Sequence, residues 1–126
     1  MSLIASNLSI KHEKSFHLND VSFSMSKGEI YTIIGRTLAG KTTLLKTIAG
    51  LISPDSGGLT FDGHDFGGIP VWKREIAMVY QQFINYPHLT VYQNVAFPLK
   101  QRGTQKTEIH RRVIAALSQV GLEGFG

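Results

Sequence analysis

No cysteine occurs among the 126 residues, which removes disulfide frameworks, thiol nucleophiles, iron–sulfur clusters and cysteine-held zinc from consideration. Any catalysis falls to other groups, and the absence fits a reducing compartment. Charge of one sign is scarce too: 13 Lys and Arg stand against 9 Asp and Glu, a formal net charge of +4. Five of the basic residues fall between positions 100 and 112, too diffuse for a nucleic-acid-binding stripe. Residues 1–8 lack the basic start and apolar run of a signal peptide, so a cytoplasmic chain is expected. Repeats and low-complexity tracts are missing as well. What is left, 42% hydrophobic and 17% charged, is the profile of a soluble globular domain.

A membrane span is also lacking, although residues 76–99 carry no Asp, Glu, Lys or Arg and are long enough to cross a bilayer. Gln81, Gln82, Asn85, Gln93 and Asn94 would each need desolvating, and Pro87 and Pro98 are expected to interrupt any helix there. The segment instead holds Tyr80, Phe83, Tyr86, Tyr92 and Phe97. Two readings stand side by side: a partner-docking surface, or core plus ordinary loop.

The first third of the chain has strand periodicity. Val21, Phe23 and Met25 alternate with Ser22, Ser24 and Ser26, and Leu8 and Ile10 continue a weaker version upstream. Residues 30–34, Ile-Tyr-Thr-Ile-Ile, are apolar on both faces, which predicts a central strand covered on both sides. Beyond Lys41 the period changes: Leu45, Ile48, Ala49 and Ile52 form a helical stripe closed by Gly50 or by Ser53-Pro54. Residues 54–58 read as a turn cluster, 59–61 as a short strand, 62–63 as a further turn and 76–80 as a second buried strand. The last segment is helical, with Ile109, Val113, Ala116, Leu117 and Val120 on one face, Thr104 or Thr107 as N-cap, and Gly121 past its end.

Between the predicted central strand and the helix lies Gly35-Arg36-Thr37-Leu38-Ala39-Gly40-Lys41-Thr42, which satisfies G-x-x-x-x-G-K-[ST]. Glycines let consecutive backbone N–H groups turn inward around a phosphate chain, and the following helix aims its positive end at the same anion. Lys41 supplies a mobile charge for the β- and γ-phosphates, and Thr42 a hydroxyl for Mg²⁺. The competing reading is an ordinary glycine-rich turn between strand and helix. A dinucleotide fingerprint is excluded, because G-x-G-x-x-G occurs nowhere.

Taken together these motifs resemble the N-terminal half of the ATP-binding subunit of an ABC transporter, of the importer type serving sugars, polyols or glycerol phosphate. Residues 19–23 through 27–29 resemble the strand pair leading into the family's Walker A loop, and Thr43-Leu44-Leu45 with Ile48-Ala49-Gly50-Leu51 the helix after it. Pro54-Asp55-Ser56-Gly57 and Asp62-Gly63 resemble the next hairpin. Met78-Val79-Tyr80-Gln81, residues 86–91 and Asn94-Val95 resemble the Q-loop and the start of the helical subdomain. The resemblance implies an α/β fold of the P-loop NTPase class: an antiparallel β subdomain, part of the P-loop core and the start of a helical subdomain, an incomplete domain. Residues 1–34 and 53–80 would form the β-rich part, 35–52 the Walker A loop and helix, and 81–126 the Q-loop and helical start.

Carried over residue by residue, the resemblance implies ATP and Mg²⁺ as ligands. Gly35, Arg36, Thr37, Leu38, Ala39, Gly40, Lys41, Thr42 and Thr43 would hold the nucleotide, with Lys41 and Gln81 catalytic and Thr42 and Gln81 at the metal. Read without the resemblance, Gln81 is a strand-end amide capping a backbone group. The family places an aromatic ring against the adenine; by spacing His12 occupies that position, with Phe16 a competing candidate and an exposed turn residue the plain reading. Leu38 departs from the pattern, standing where the family usually has glycine or another small residue. The implied partners are transmembrane permease subunits and a second ATP-binding subunit, with no nucleic acid. Residues 86–95 would lie near the groove that receives the permease, and the location would be cytoplasmic and peripheral on the inner face of the cell membrane.

His64, His88 and His110 lack metal-ligand spacing, and Asp62 and Asp65 sit in a turn rather than as a catalytic pair. The 126 residues hold no apolar run ending in Asp-Glu after Gln81, no LSGGQ-like signature and no switch histidine. Phosphoryl transfer to water needs a charge-compensating cradle, a held Mg²⁺ and a group positioning the attacking water; the resemblance assigns part of this to those missing motifs, so it implies a transport ATPase as a whole protein and little hydrolysis from these residues alone. An ABC-type ATPase with a non-transport role, or a short non-hydrolytic nucleotide-binding module, are the alternatives.

Overall fold

The computed structural model describes residues 2–125. The chain forms two compact units, Met1–Val79 and Tyr80–Gly126. The first holds β1 (Ser2–His12), β2 (Ser15–Ser26), α1 (Lys41–Ala49), β3 (Ser56–Phe61), β4 (His64–Asp65) and a 3₁₀ turn at Val71–Lys73. The second holds α2 (Val91–Gln101) and α3 (Lys106–Gln119).

The four strands make one antiparallel sheet in the order β2-β1-β3-β4. Ala5 and Leu8 are both buried, as are Leu18 and, in part, Val21. A spacing of three puts two residues on one face only if an extra residue is inserted between them. The register shifts between Ala5 and Leu8 do this, with Asn7 at φ 53 and, across the ladder, Asp20 at φ 53. Asn and Asp tolerate that region best among side-chain-bearing residues. Asn7 Nδ2 donates to Asp20 Oδ1 at 2.7 Å and ties the two irregularities together. Val21, Phe23 and Met25 are half-buried and the serines between them exposed, as their alternation predicts. The β3–β4 turn falls at Asp62-Gly63, both with positive φ, the pairing a two-residue hairpin loop favours. The predicted turn cluster at 54–58 is shorter than expected, because residues 56–58 already belong to β3, with Ser6 opposite Gly58.

Helix α1 packs Leu44 and Ile48 against Ala5, Leu8, Leu18, Leu59 and Phe66. Its buried face is Leu44, Thr47, Ile48 and Ala49, rotated from the predicted stripe, and Leu45 stays 46% exposed. The buried polar side chain, Thr47, is satisfied by donating to the Thr43 carbonyl at 2.7 Å. At its far end the guanidinium of Arg74 acts as a fork. Nη1 donates to the carbonyls of Ile48 at 3.0 Å and Thr47 at 3.3 Å, Nε to Ile69 at 2.8 Å and Nη2 to Gly67 at 3.3 Å. The cation also lies 4.7 Å over the Phe66 ring. Desolvation lowers its pKa, and the Asp65 carboxylate opposes that. A positive charge at the last carbonyls of a helix meets the negative end of its dipole.

Two predicted strands are not strands here. Residues 29–36 and 75–80 have no regular secondary structure and join no ladder, with Ile30 97%, Ile34 90% and Val79 96% exposed. A doubly covered strand is stabilised by neighbours on both edges and layers on both faces, and among the described residues none pairs with either segment.

In the second unit, Ala96, Ile109, Val113 and Leu117 are buried with Tyr92, Val95 and Leu99 beside them. Of the predicted stripe of α3, Ala116 is half-buried and Val120 lies 68% exposed. Its N-cap is Gln105, not Thr104 or Thr107. Thr104 is engaged at the end of α2, where its N–H donates to the Leu99 carbonyl at 3.1 Å while Gly103 donates to Lys100 at 3.0 Å, a Schellman closure. The same bond pair ends α3 at Gly121 and Leu122. Pro98 lies inside α2 and does not interrupt it; it removes one N–H from the ladder, while its own carbonyl still accepts the Arg102 N–H at 3.2 Å and a Thr90/Gln93 capping box fixes the start. Among the described residues no helix is long and apolar enough to cross a membrane. The basic residues near 111 are partly neutralised, since Glu108 accepts from Arg111 and Arg112 and its carboxyl is held at about 2.

The fork of Arg74 makes a direct prediction. Arg74→Met removes these bonds from the C-terminal end of α1 and from the 67–69 turn and should lower stability by about 2 kcal/mol in urea unfolding. Arg74→Lys should recover less than half, because a point cation cannot reproduce the fork; full recovery by lysine would show that charge alone is responsible.

Candidate phosphate-binding site

Helix α1 begins without a side-chain cap. Its N-cap is Gly40, and no acidic residue stands in the first turn. The first intrahelical bond runs from the Leu44 N–H to the Gly40 carbonyl at 2.9 Å, so the amides of Lys41, Thr42 and Thr43 precede it. Such an end presents backbone donors and the positive pole of the helix dipole. By contrast α2 begins with a complete capping box.

The loop before α1 is built from two left-handed residues, Leu38 at φ 67 and Gly40 at φ 97. A turn over residues 36–39 is closed by the Ala39 N–H donating to the Arg36 carbonyl at 3.1 Å. Successive amides in such turns form a concave nest for anions. Lys41 folds back along the loop, its Nζ donating to the carbonyls of Gly35 and Arg36, the latter at 2.8 Å. The side chains of residues 35–39 and Thr42 are exposed, and those of Lys41 and Thr43 half-buried. Loop and helix start therefore supply amides, the cations of Arg36 and Lys41 and the exposed hydroxyls of Thr37 and Thr42, a donor set that fits a polyphosphate with a hydrated Mg²⁺.

The close approach of β2 holds this loop in place. A Cβ on Gly40 would stand 2.4 Å from the His17 carbonyl oxygen and 3.2 Å from Leu18 Cδ2. The same hairpin end carries the two candidates for a base contact. His12 is exposed with its ring 5.5 Å from that of His17; Phe16 is 53% exposed with Lys11 Nζ 5.8 Å from its ring centre. Residues 35–43 are thus brought together by folding, and the hairpin end bearing His12 and Phe16 joins them through His17.

Gln81 lies in the other unit, at an exposed bend. That unit has a groove of about 440 Å³ lined by Ile84, Tyr86, Asn94, Val95, Phe97 and Pro98, among others. Asn94 shapes it: its Nδ2 donates to the carbonyls of Tyr86, Leu89 and Thr90 at 3.1, 3.2 and 2.9 Å, and its Oδ1 accepts the Tyr86 N–H at 2.8 Å. The Tyr86 and Phe97 rings meet at 4.5 Å. A separate cleft of about 460 Å³ in the first unit, walled by Leu3, Phe61, Phe66, Ile69 and Ile76, contains none of residues 35–43. Among the described residues no three His, Asp or Glu side chains are grouped to hold a metal ion.

His17, Arg74 and Asn94 were not predicted as positioning residues. The carbonyl of His17 is a backbone contact without a sequence signature. Of the carbonyls that Arg74 holds, those of Ile48 and Thr47 lie 26 and 27 residues away. For Asn94, the nearby Thr90-x-x-Gln93 capping pattern was the available signal.

Comparison with known proteins gives these features a context. Residues 18–126 match the family described as ABC transporter. The spermidine/putrescine import ATP-binding protein PotA of Nitrosospira multiformis is 45% identical over 109 residues, 86% of this chain and 30% of that protein. The molybdate/tungstate import ATP-binding protein WtpC of Thermococcus kodakarensis is 46% identical over 103 residues, 82% of this chain and 31% of that protein. The chain thus spans about a third of the length of these curated relatives. A solved structure described as a dimeric post-hydrolysis state of the ATP-binding cassette MJ0796, bound to ADP and Pi, matches with a TM-score of 0.83 and 25% identity, covering 97% of this chain and 58% of that one.

The packing of Gly40 on His17 can be tested against a matched control. Gly63 has φ +78 and open space around it, whereas Gly40 has φ +97 and a carbonyl in the way. Gly63→Ala should cost about 1 kcal/mol, the left-handed penalty alone. Gly40→Ala should cost about 2–3 kcal/mol or more by thermal or urea unfolding; equal costs would remove the close approach as the constraint on the loop.

Proposed function

The chain belongs to the ABC transporter family, and we propose that it binds ATP by its polyphosphate at residues 35–43, as the ATP-binding part of an importer of a small solute. The observation that carries the reading is the uncapped start of α1 beneath a loop with left-handed residues at Leu38 and Gly40 and Lys41 laid along its carbonyls. In this reading the amides of Gly40, Lys41, Thr42 and Thr43 face the β-phosphate region, and Lys41 moves its Nζ toward the β- and γ-oxygens. Thr42 offers its hydroxyl to Mg²⁺, with Gln81 as the second protein group proposed for the ion; when bound, the ion neutralises charge on the phosphate oxygens. Gly35, Arg36, Thr37 and Ala39 contribute backbone. His12 or Phe16, on the hairpin end that joins the loop through His17, is the proposed adenine contact.

The wider role follows from the relatives' names. Both are import ATP-binding proteins, one for polyamines and one for an oxyanion, which supports import of a small solute, with sugar, polyol or glycerol phosphate the narrower class suggested by the sequence resemblance. ATP hydrolysis coupled to import is proposed for the whole protein, with Lys41 and Gln81 in the reacting site. Its partners would be transmembrane permease subunits, with the groove at Tyr86, Asn94 and Phe97 as the docking surface for an apolar permease segment. A second ATP-binding subunit would complete the assembly, which the dimeric neighbour supports. The location that goes with these partners is peripheral, at the inner face of the cell membrane.

Lys41 is the decisive residue. Removing a charge-assisted partner of a phosphate corresponds to about 2–3 kcal/mol, or about 30- to 150-fold in affinity. Lys41→Ala should weaken Mg-ATP binding by that factor in calorimetric titration while the circular dichroism spectrum is retained. Unchanged affinity would remove the phosphate assignment.

A further inference from the structure

The residue that fits its place in the loop least well is Leu38. It has φ 67, a left-handed conformation that L-residues other than Asn and Asp avoid because Cβ approaches the following carbonyl. Its side chain is 100% exposed, so no buried apolar contact rewards the conformation. What holds it is local: the turn bond from the Ala39 N–H to the Arg36 carbonyl, and the bonds from Lys41 Nζ to the carbonyls of Gly35 and Arg36. Those lysine bonds are the ones that weaken if Nζ turns toward a phosphate.

We infer that Leu38 is a positioning residue that sets the affinity of this loop for polyphosphate, holding it below what a glycine at the same position would give. The inference rests on the phosphate-binding reading above. The nest as it stands is built with positive φ at both positions 38 and 40. Gly40 adopts it freely, while Leu38 resists it. A loop that leaves the competent shape part of the time binds with an affinity reduced by the competent fraction. The left-handed penalty corresponds to a factor of about 5 to 30 in that population, and part of it reaches the measured affinity. The tuning acts through the backbone, so it follows the Cβ of residue 38 and not the size of its side chain.

The test titrates the chain and its Leu38→Gly, Leu38→Ala and Lys41→Ala variants with Mg-ATP and with inorganic tripolyphosphate. Leu38→Gly should bind both ligands about five- to tenfold more tightly. Leu38→Ala, which keeps a Cβ, should stay within about twofold of the leucine form. Binding that is lost in Lys41→Ala but unchanged or weaker in Leu38→Gly overturns the positioning role. Equal tightening by glycine and alanine overturns it as well, by assigning the effect to bulk. Binding that is insensitive to Lys41→Ala, or absent from every variant, overturns the phosphate reading itself and this inference with it.

Discussion

The placement of the phosphate loop depends on one contact, the approach of the Gly40 backbone to the carbonyl of His17. It brings the first turn of α1 against β2 at a distance that leaves no room for a Cβ. Because α1 begins at Lys41, the same contact aims its unbonded amides, and it joins the loop to the hairpin end that bears His12 and Phe16. The loop is exposed and has little packing of its own, so its geometry is inherited from the sheet. The sheet in turn owes its alignment to the irregularities at Asn7 and Asp20, which keep Leu8 and Leu18 pointing into the core beneath α1.

The other end of α1 is secured by different physics. Arg74 satisfies carbonyls from the helix and from the 67–69 turn with one planar cation stacked on Phe66. One terminus is therefore filled by protein donors and the other is left with donors to spare. This polarity suits a helix that carries a binding loop at its front: its free-energy debt at the C-terminus is settled within the fold, and its positive end remains available to an anion.

Much of this was legible in the sequence, unevenly. Patterns that depend on neighbours within a few residues translated well: the alternation at Val21, Phe23 and Met25, the turn at Asp62-Gly63, the glycine after α1, and the helix that starts directly after Gly40. The motif's departure at Leu38 was visible as a residue choice, but its meaning required the backbone angle. Features that depend on distant partners were illegible. The apolar runs at 30–34 and 76–80 read as covered strands because covered strands have that composition, yet coverage is a property of neighbours and not of the run. The buried face of α1 turned from Leu45 to Leu44 because the sheet beneath it, not the helical period, selects which leucine meets Leu18. The carbonyls under Arg74 and the loop tied by Asn94 likewise depend on contacts between elements, which no local pattern encodes.

The central claim is that the backbone amides of residues 35–43 receive polyphosphate. It is tested most directly by following assigned amide resonances of the chain during titration with inorganic tripolyphosphate. The account predicts saturable shifts concentrated at Gly40, Lys41, Thr42 and Thr43 and extending to His17, with the cleft at Phe61 and Phe66 unchanged. Shifts confined to that cleft or to the basic residues near Arg111 and Arg112, with the loop amides unmoved, would contradict it.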